Sequence, residues 1–260
     1  MGEDHIKNYW ESQGQVYADS HWASWGDNWM IDLEIEAISE HINDGDYVLD
    51  VGCANGFSAF KQLELNNSIT ISGVDFAANM VSAAENTKEK KCLGDNVTFS
   101  QGDVRSLQFS DNTFDVAYTT RVLINLPTWE QQIQGISECI RVVKPNGIVV
   151  LSEGFWEPLM LLNAFRSLKN LAPLVEHDFN RYLKLSLLEE YLKKLGLNYH
   201  INDFSSIYYL GSRFIRELVT EPDSYPGFSN PINKLFFEIE KKFSGGGMGV
   251  QQAVVIKKHS

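Results

Sequence analysis

Val48-Leu49-Asp50-Val51-Gly52-Cys53-Ala54-Asn55-Gly56-Phe57 reads as a buried strand running straight into a glycine-punctuated turn. The apolar run Val48, Leu49 and Val51 suits a strand covered on both faces. Gly52 and Gly56 remove side chains where the backbone must approach a ligand closely. A helix is expected from Phe57, its first free N–H groups pointing back over the strand end, where open α/β sheets hold their ligands. A phosphate-cradling loop needs Gly-Lys-Ser/Thr, and here Gly56 is followed by Phe57-Ser58. A dinucleotide loop needs G-x-G-x-x-G; this one is G-x-A-x-G behind Asp50, whose charge would repel a pyrophosphate. That acid suits instead a ligand with a cationic amino group.

Three later stretches are built alike. Ile69 to Asp75 is a short strand closing on an acid, followed by Phe76 and a helix from Ala77 to Lys90 that carries Met80. Val97 to Ser100 runs into Gly102-Asp103-Val104, and Phe114 to Tyr118 runs into Thr119-Thr120-Arg121. Together these strand ends resemble the class I S-adenosylmethionine-dependent methyltransferases, whose first motif is Asp/Glu-x-Gly-x-Gly-x-Gly. Here it stands as Asp50 to Gly56 and departs only at the middle glycine, Ala54, a change expected to be tolerated if the backbone stays at negative φ. The resemblance implies S-adenosyl-L-methionine as cofactor, held in the loop by Asp50, Gly52, Cys53, Ala54 and Gly56. It implies Asp75 on the ribose hydroxyls, Phe76 and Met80 over the adenine faces, and Gly102, Asp103 and Val104 at the adenine edge. Thr119, Thr120 and Arg121 complete the set. The fold implied is α/β, a Rossmann-like doubly wound sheet of seven strands, mostly parallel, with an antiparallel C-terminal hairpin and helical cap insertions.

The rest of the chain is read around that core as one methyltransferase domain over 1–260. Residues 1–45 form an N-terminal helical cap, in which Ile31, Ile35, Ile38 and Ile42 recur at near-helical spacing, and 46–153 form the cofactor-binding core. Pro127-Thr128-Trp129-Glu130-Gln131 opens a helix through a capping box, Lys144-Pro145-Asn146-Gly147 is a turn, and Ile148 to Ser152 is a fifth strand ending at Glu153. Residues 154–197 and 207–249 are acceptor-side lid insertions. The first holds a helix from Leu159 to Leu171, a polar cluster around His177, and a helix capped by Ser186 and ended by Gly196. Closing strands are expected over 198–206 and 250–258.

The insertions offer aromatic and polar side chains for an acceptor: Trp22, Trp25, Trp156, Asn180, Tyr182, Tyr208, Tyr209 and Arg213. A hydroxyl acceptor would also want a base, for which Glu153 and His177 are the candidates, although Glu153 could equally hold a helix N-terminus and His177 stand free in a loop. An amine acceptor would need only an unprotonated nitrogen. The reading is methyl transfer to a small polar metabolite, most readily a sugar-like hydroxyl compound, with N-methylation or non-catalytic cofactor binding as alternatives. A nicotinamide-dependent oxidoreductase is disfavoured by the loop spacing and by the lack of a Tyr-x-x-x-Lys pair.

Composition narrows the partners. Net charge is −12, and residues 1–50 carry twelve acids against the single basic residue Lys7, so neither nucleic acid nor an anionic membrane is expected to bind. Cys53, Cys92 and Cys139 give neither a zinc pattern nor a disulfide framework, and no metal is expected. The first residues lack the basic-then-apolar order of an export signal, and position 6 is Ile where myristoylation wants Ser or Thr, so a cytoplasmic protein is expected. The oligomeric state is left open.

Overall fold

A computed structural model describes residues 3–17, 20, 26–221 and 227–259. In chain order the elements are α1 (Glu3–Tyr17), α2 (Asn28–Ser39), β1 (Tyr47–Val51), α3 (Phe57–Leu65), β2 (Thr70–Asp75), α4 (Ala78–Lys90), β3 (Val97–Gln101) and β4 (Phe114–Thr120). They continue with α5 (Trp129–Val142), β5 (Val143–Gly154), α6 (Trp156–Ser167), α7 (Leu185–Lys194) and β6 (Asn198–Asn202). Last come α8 (Ser206–Leu210), α9 (Arg216–Val219), α10 (Asn233–Glu240) and β7 (Gln251–Lys257). A π-helical stretch, Gly211–Ile215, joins α8 to α9, and a 3₁₀ turn, Leu123–Asn125, follows β4.

The strands form one seven-stranded sheet in the order β3-β2-β1-β4-β5-β7-β6. β1 pairs in parallel with β2 on one side and β4 on the other, and β7 runs antiparallel to both β5 and β6. The chain therefore reverses direction across the sheet between β1 and β4, and a crevice opens above their C-terminal ends. Alternation along each strand divides the core. Val48, Ile71, Val116 and Val150 pack on one face with α2, α3 and α10, and Leu49, Val51, Ala117 and Leu151 pack on the other with α5 and α7. Both faces are covered, as the uninterrupted apolar runs require.

Several local expectations are corrected. Lys144 to Gly147 lie within β5, but pairing passes from Phe114–Val143 to Val116–Ile148, so the turn is realised as a bulge with Asn146 at φ 64°. The helix expected from Leu159 starts at Trp156 and ends at Ser167. Ser186 does not cap α7: the N-cap position is Lys184, and Glu157 of α6 accepts from Leu185 N, Ser186 N and Ser186 Oγ at 2.8–3.0 Å. Thr128 does cap α5, its Oγ1 accepting from Gln131 N at 3.4 Å.

Candidate active site

The crevice is a cavity of about 680 Å³, within the range of small-molecule sites, roughly 300–1,000 Å³. The loop after β1 forms one wall. Gly52 turns at φ 75°, where a Cβ would lie 2.1 Å from Val122 Cγ2, and its N–H and that of Cys53 donate to Val74 O. Gly52, Cys53 and Ala54 line the cavity. Gly56 does not; at φ 79° it starts α3, and a Cβ there would meet Phe60 and Phe99 at 2.8 Å. Its glycine serves the turn and the packing of helix on strand, not ligand approach. Ala54 has φ 46°, not the negative value expected. Asp75 fixes it there, its Oδ2 accepting from Ala54 N at 2.8 Å while Oδ1 accepts from Ala77 N at 2.8 Å.

Asp75 lines the cavity at the end of β2, and burial pushes its carboxyl up to about 6 against the pull of these two N–H groups. Phe76, 36% exposed, and Met80, fully buried, flank it. Gly102, Asp103 and Val104 line the wall beyond β3. Burial raises the Asp103 carboxyl, but the Arg105 guanidinium, 2.6 Å away, brings it below its ordinary value. Thr120 and Arg121 reach the cavity from β4, whereas Thr119 points beneath it. Asp50 is corrected too: it is fully buried under the loop and forms no part of the cavity wall. Burial holds its carboxyl near 7 despite the Tyr118 hydroxyl and the Ala59 N–H.

The two candidate bases separate. Glu153 is enclosed away from the cavity, accepting from Thr119 Oγ1 at 2.7 Å, from Val122 N and Leu123 N at 3.1 Å and from Ile124 N at 3.3 Å. It caps the 3₁₀ turn after β4, and four donors leave it no acceptor site for a substrate proton. His177 lines the mouth, its ring 4.1 Å from that of Phe179. Of the acceptor-side residues, Asn180, Tyr182 and Tyr209 line the cavity. Trp156 does not; it is 40% exposed on α6 beneath the Lys184 ammonium. Tyr208 and Arg213 are also absent from the wall, because both are bound to the buried Asp27 that caps α2. Trp22 and Trp25 lie outside the described residues.

Some of the wall was not expected from the sequence. Tyr9 and Trp10 of α1 and Ile31, Glu34 and Ile35 of α2 line the cavity, with Gln251 at the start of β7. Glu34 is 2% exposed, accepts from Ser152 Oγ at 2.7 Å and from Gln251 Nε2, and lies 3.5 Å from Arg121 Nη2. The missed signal was its phase: three residues after Ile31 and four before Ile38, Glu34 stands on the buried stripe of its own helix.

A glycine loop after β1, an acid after β2 and a crevice at the sheet's reversal define a nucleoside-binding α/β enzyme of the kind that holds S-adenosylmethionine. Residues 42–195 match the family model described as Methyltransferase domain, and the chain belongs to the S-adenosylmethionine-dependent methyltransferase family. It is 34% identical over 113 residues to the sterol 24-C-methyltransferase of Pneumocystis carinii, spanning 43% of this chain and only 29% of that enzyme. The ubiquinone biosynthesis O-methyltransferase of Coxiella burnetii is 25% identical over 168 residues, 64% of this chain and 68% of that one. Geranyl diphosphate C-methyltransferase from Streptomyces coelicolor A3(2) shares the fold, with a TM-score of 0.62 over 99% of this chain and 97% of that one at 14% identity. Among the described residues no helix is long and apolar enough to cross a membrane.

Proposed function

We propose that the chain transfers the methyl group of S-adenosylmethionine to a hydroxyl of a small acceptor with an apolar ring or chain. The wall around Glu34 carries this reading. Ile31, Ile35, Tyr209, Tyr182 and Val250 line the same cavity as this one buried carboxylate, and Glu176, His177, Asp178 and Asn180 add hydrogen-bonding groups to the wall, His177 and Asp178 at its exposed edge. An apolar body fits the depth and a polar or sugar-like end fits the mouth, whereas a bare sugar would leave its hydroxyls unpaired among aliphatic side chains.

The residues present suit the cofactor. Gly52 to Ala54 line the cavity with little side-chain bulk, Asp75 keeps lone pairs beyond its two N–H partners for ribose hydroxyls, and Phe76 and Met80 offer an apolar surface for a purine. The sulfonium supplies an already activated methyl group. The protein's part is to align the acceptor and exclude water, which α1 serves by roofing the cavity with Tyr9 and Trp10. Residues 154–197 and 207–249 act as the acceptor side of this single domain, in a cytoplasmic setting with no nucleic-acid partner, consistent with the net charge of −12. The test is transfer of tritiated methyl from labelled S-adenosylmethionine to separate pools of phenols and alcohols, simple sugars, and amines. Label extracted into organic solvent from the first pool is expected. Transfer confined to amines would make the enzyme an N-methyltransferase, and cofactor binding without transfer to any pool would leave a binding protein.

A further inference from the structure

Several acids border the cavity, and their surroundings separate them. Asp75 at the end of β2 spends one lone pair of each oxygen on the backbone, and Asp103 beyond β3 is held by Arg105. Glu176 accepts from Tyr182 N at 2.8 Å, and Asp178 stands with His177 at the exposed mouth, where water competes for any proton. Glu34 differs in depth and in side. Its partners are Arg121 just after β4, Ser152 on β5 and Gln251 on β7, so it sits across the sheet's reversal from Asp75 and Asp103. A cofactor whose nucleoside lies over β2 and β3 leaves this side for the acceptor.

We propose that Glu34 is the base that takes the proton of the acceptor hydroxyl, an assignment that rests on the hydroxyl-acceptor reading above. An ionised carboxylate has about four acceptor sites. Glu34 Oε1 receives the Ser152 hydroxyl and the Gln251 amide, and Oε2 faces Arg121 at 3.5 Å, so a lone pair of Oε2 remains for a donor in the cavity that Glu34 lines. In the step, Glu34 receives the hydroxyl proton, the acceptor oxygen bonds to the methyl carbon, and the carbon–sulfur bond breaks with its electron pair kept by sulfur. The proton leaves Glu34 for solvent once the products have gone. No other reagent is needed. Burial raises the carboxyl from its ordinary value while Arg121, Ser152 and Gln251 draw it partly back, so that Glu34 holds a proton more firmly than an exposed carboxylate does, the direction a base requires. The charged groups around it are Arg121 and, beneath the loop, Asp50.

The experiment uses the full chain with tritiated-methyl S-adenosylmethionine and three hydroxyl probes: catechol, 4-nitrophenol and geraniol. S-adenosylhomocysteine affinity is measured by calorimetry on the same samples. Glu34→Gln should lower kcat by about 10²–10³-fold while leaving that affinity within about twofold. It should also remove the acid limb of the kcat/KM profile, which Asp50→Asn should keep. Glu34→Asp, which retains the carboxylate, should recover part of the rate and decides between the outcomes if the Gln variant does not fold. Wild-type turnover of a hydroxyl probe with an undiminished rate in Glu34→Gln overturns the role of Glu34 and leaves the hydroxyl reading standing. A fall in S-adenosylhomocysteine affinity of about tenfold or more in Glu34→Gln reassigns the residue to the cofactor and overturns the proposal. A wild type that methylates amines but none of the three probes overturns the hydroxyl reading and the proposal with it, as does one inert to every probe.

Discussion

Ala54 shows how a single residue can match a motif and still break its rule. Its left-handed backbone at φ 46° is imposed by Asp75, which accepts the Ala54 N–H, and the motif's middle glycine is the residue that would hold this conformation without strain. A left-handed alanine costs roughly 1–2 kcal/mol, and glycine gives back about 0.5–1 kcal/mol through its freer unfolded chain. Ala54→Gly should therefore stabilise the fold by a net amount on the order of 0.5 kcal/mol, read as a raised denaturant midpoint at unchanged slope; a lowered midpoint would show that the alanine is not strained. Asp75 is the other partner in the same hydrogen bond. Asp75→Ala should weaken S-adenosylhomocysteine by roughly 1.5–3 kcal/mol, because the ribose hydroxyls would no longer have a charged acceptor. Calorimetry returning wild-type affinity would remove Asp75 from the ribose. The sequence made Asp75 legible because an acid closing a short strand is a local signal. It could not show φ at Ala54, which depends on a carboxylate twenty-one residues away.

Among the elements, helix ends that carry a local signal were legible, as the start of α3 at Phe57 and the Thr128 cap of α5 show, and those without one were not. Each strand of the core declared itself by an apolar run and the polar residue that stops it, but two helices are capped by side chains from other helices. Glu157 of α6 caps α7, and Glu11 of α1 caps α4, its carboxylate accepting from Ala78 N at 3.0 Å and Asn79 N at 2.8 Å. Such caps bridge distances in sequence that no local pattern encodes. Asn79 Nδ2 also donates to Glu11 O, and Gly14 faces the Asn79–Met80 backbone, where a Cβ would lie 2.9 Å from it, so α1 is fastened to α4 beside the cavity. Removing the cap should cost about 1 kcal/mol, since an anion meets a helix N-terminus favourably. Glu11→Ala is accordingly expected to speed proteolysis within α1 and to weaken S-adenosylhomocysteine, since Trp10 and Tyr9 would no longer be held over the site. An α1 as resistant as in the parent protein would mean that its apolar packing alone holds it.

At the scale of the whole molecule, the cavity is built at a cost in buried acids. Asp50, Glu153 and Glu240 are each held near 7 chiefly by burial, and Asp75 near 6, all above the ordinary carboxylate range. A folded-state pKa raised above the unfolded value means that folding retains the proton, so this stability is full below about pH 4 and is lost as the pH rises through 6 to 7. Carboxylates held down by partners, such as Asp115 beside Lys144, lose their contribution only below their ordinary values, outside this window. His41, lowered by burial and then by His200, opposes the trend below about pH 6.5, the ordinary imidazole value. Repulsion within a chain of net charge −12 adds to it. The ligand-free protein should therefore melt at a higher temperature at pH 5 than at pH 8. Asp50→Asn isolates one contributor without adding volume or touching the cavity wall. It should flatten the decline between pH 5 and pH 8 and, at pH 8, melt above the parent, because no buried charge then has to form. A variant that melts below the parent at pH 8, or whose decline with pH runs parallel to it, would show that Asp50 is ionised and well satisfied beneath the loop.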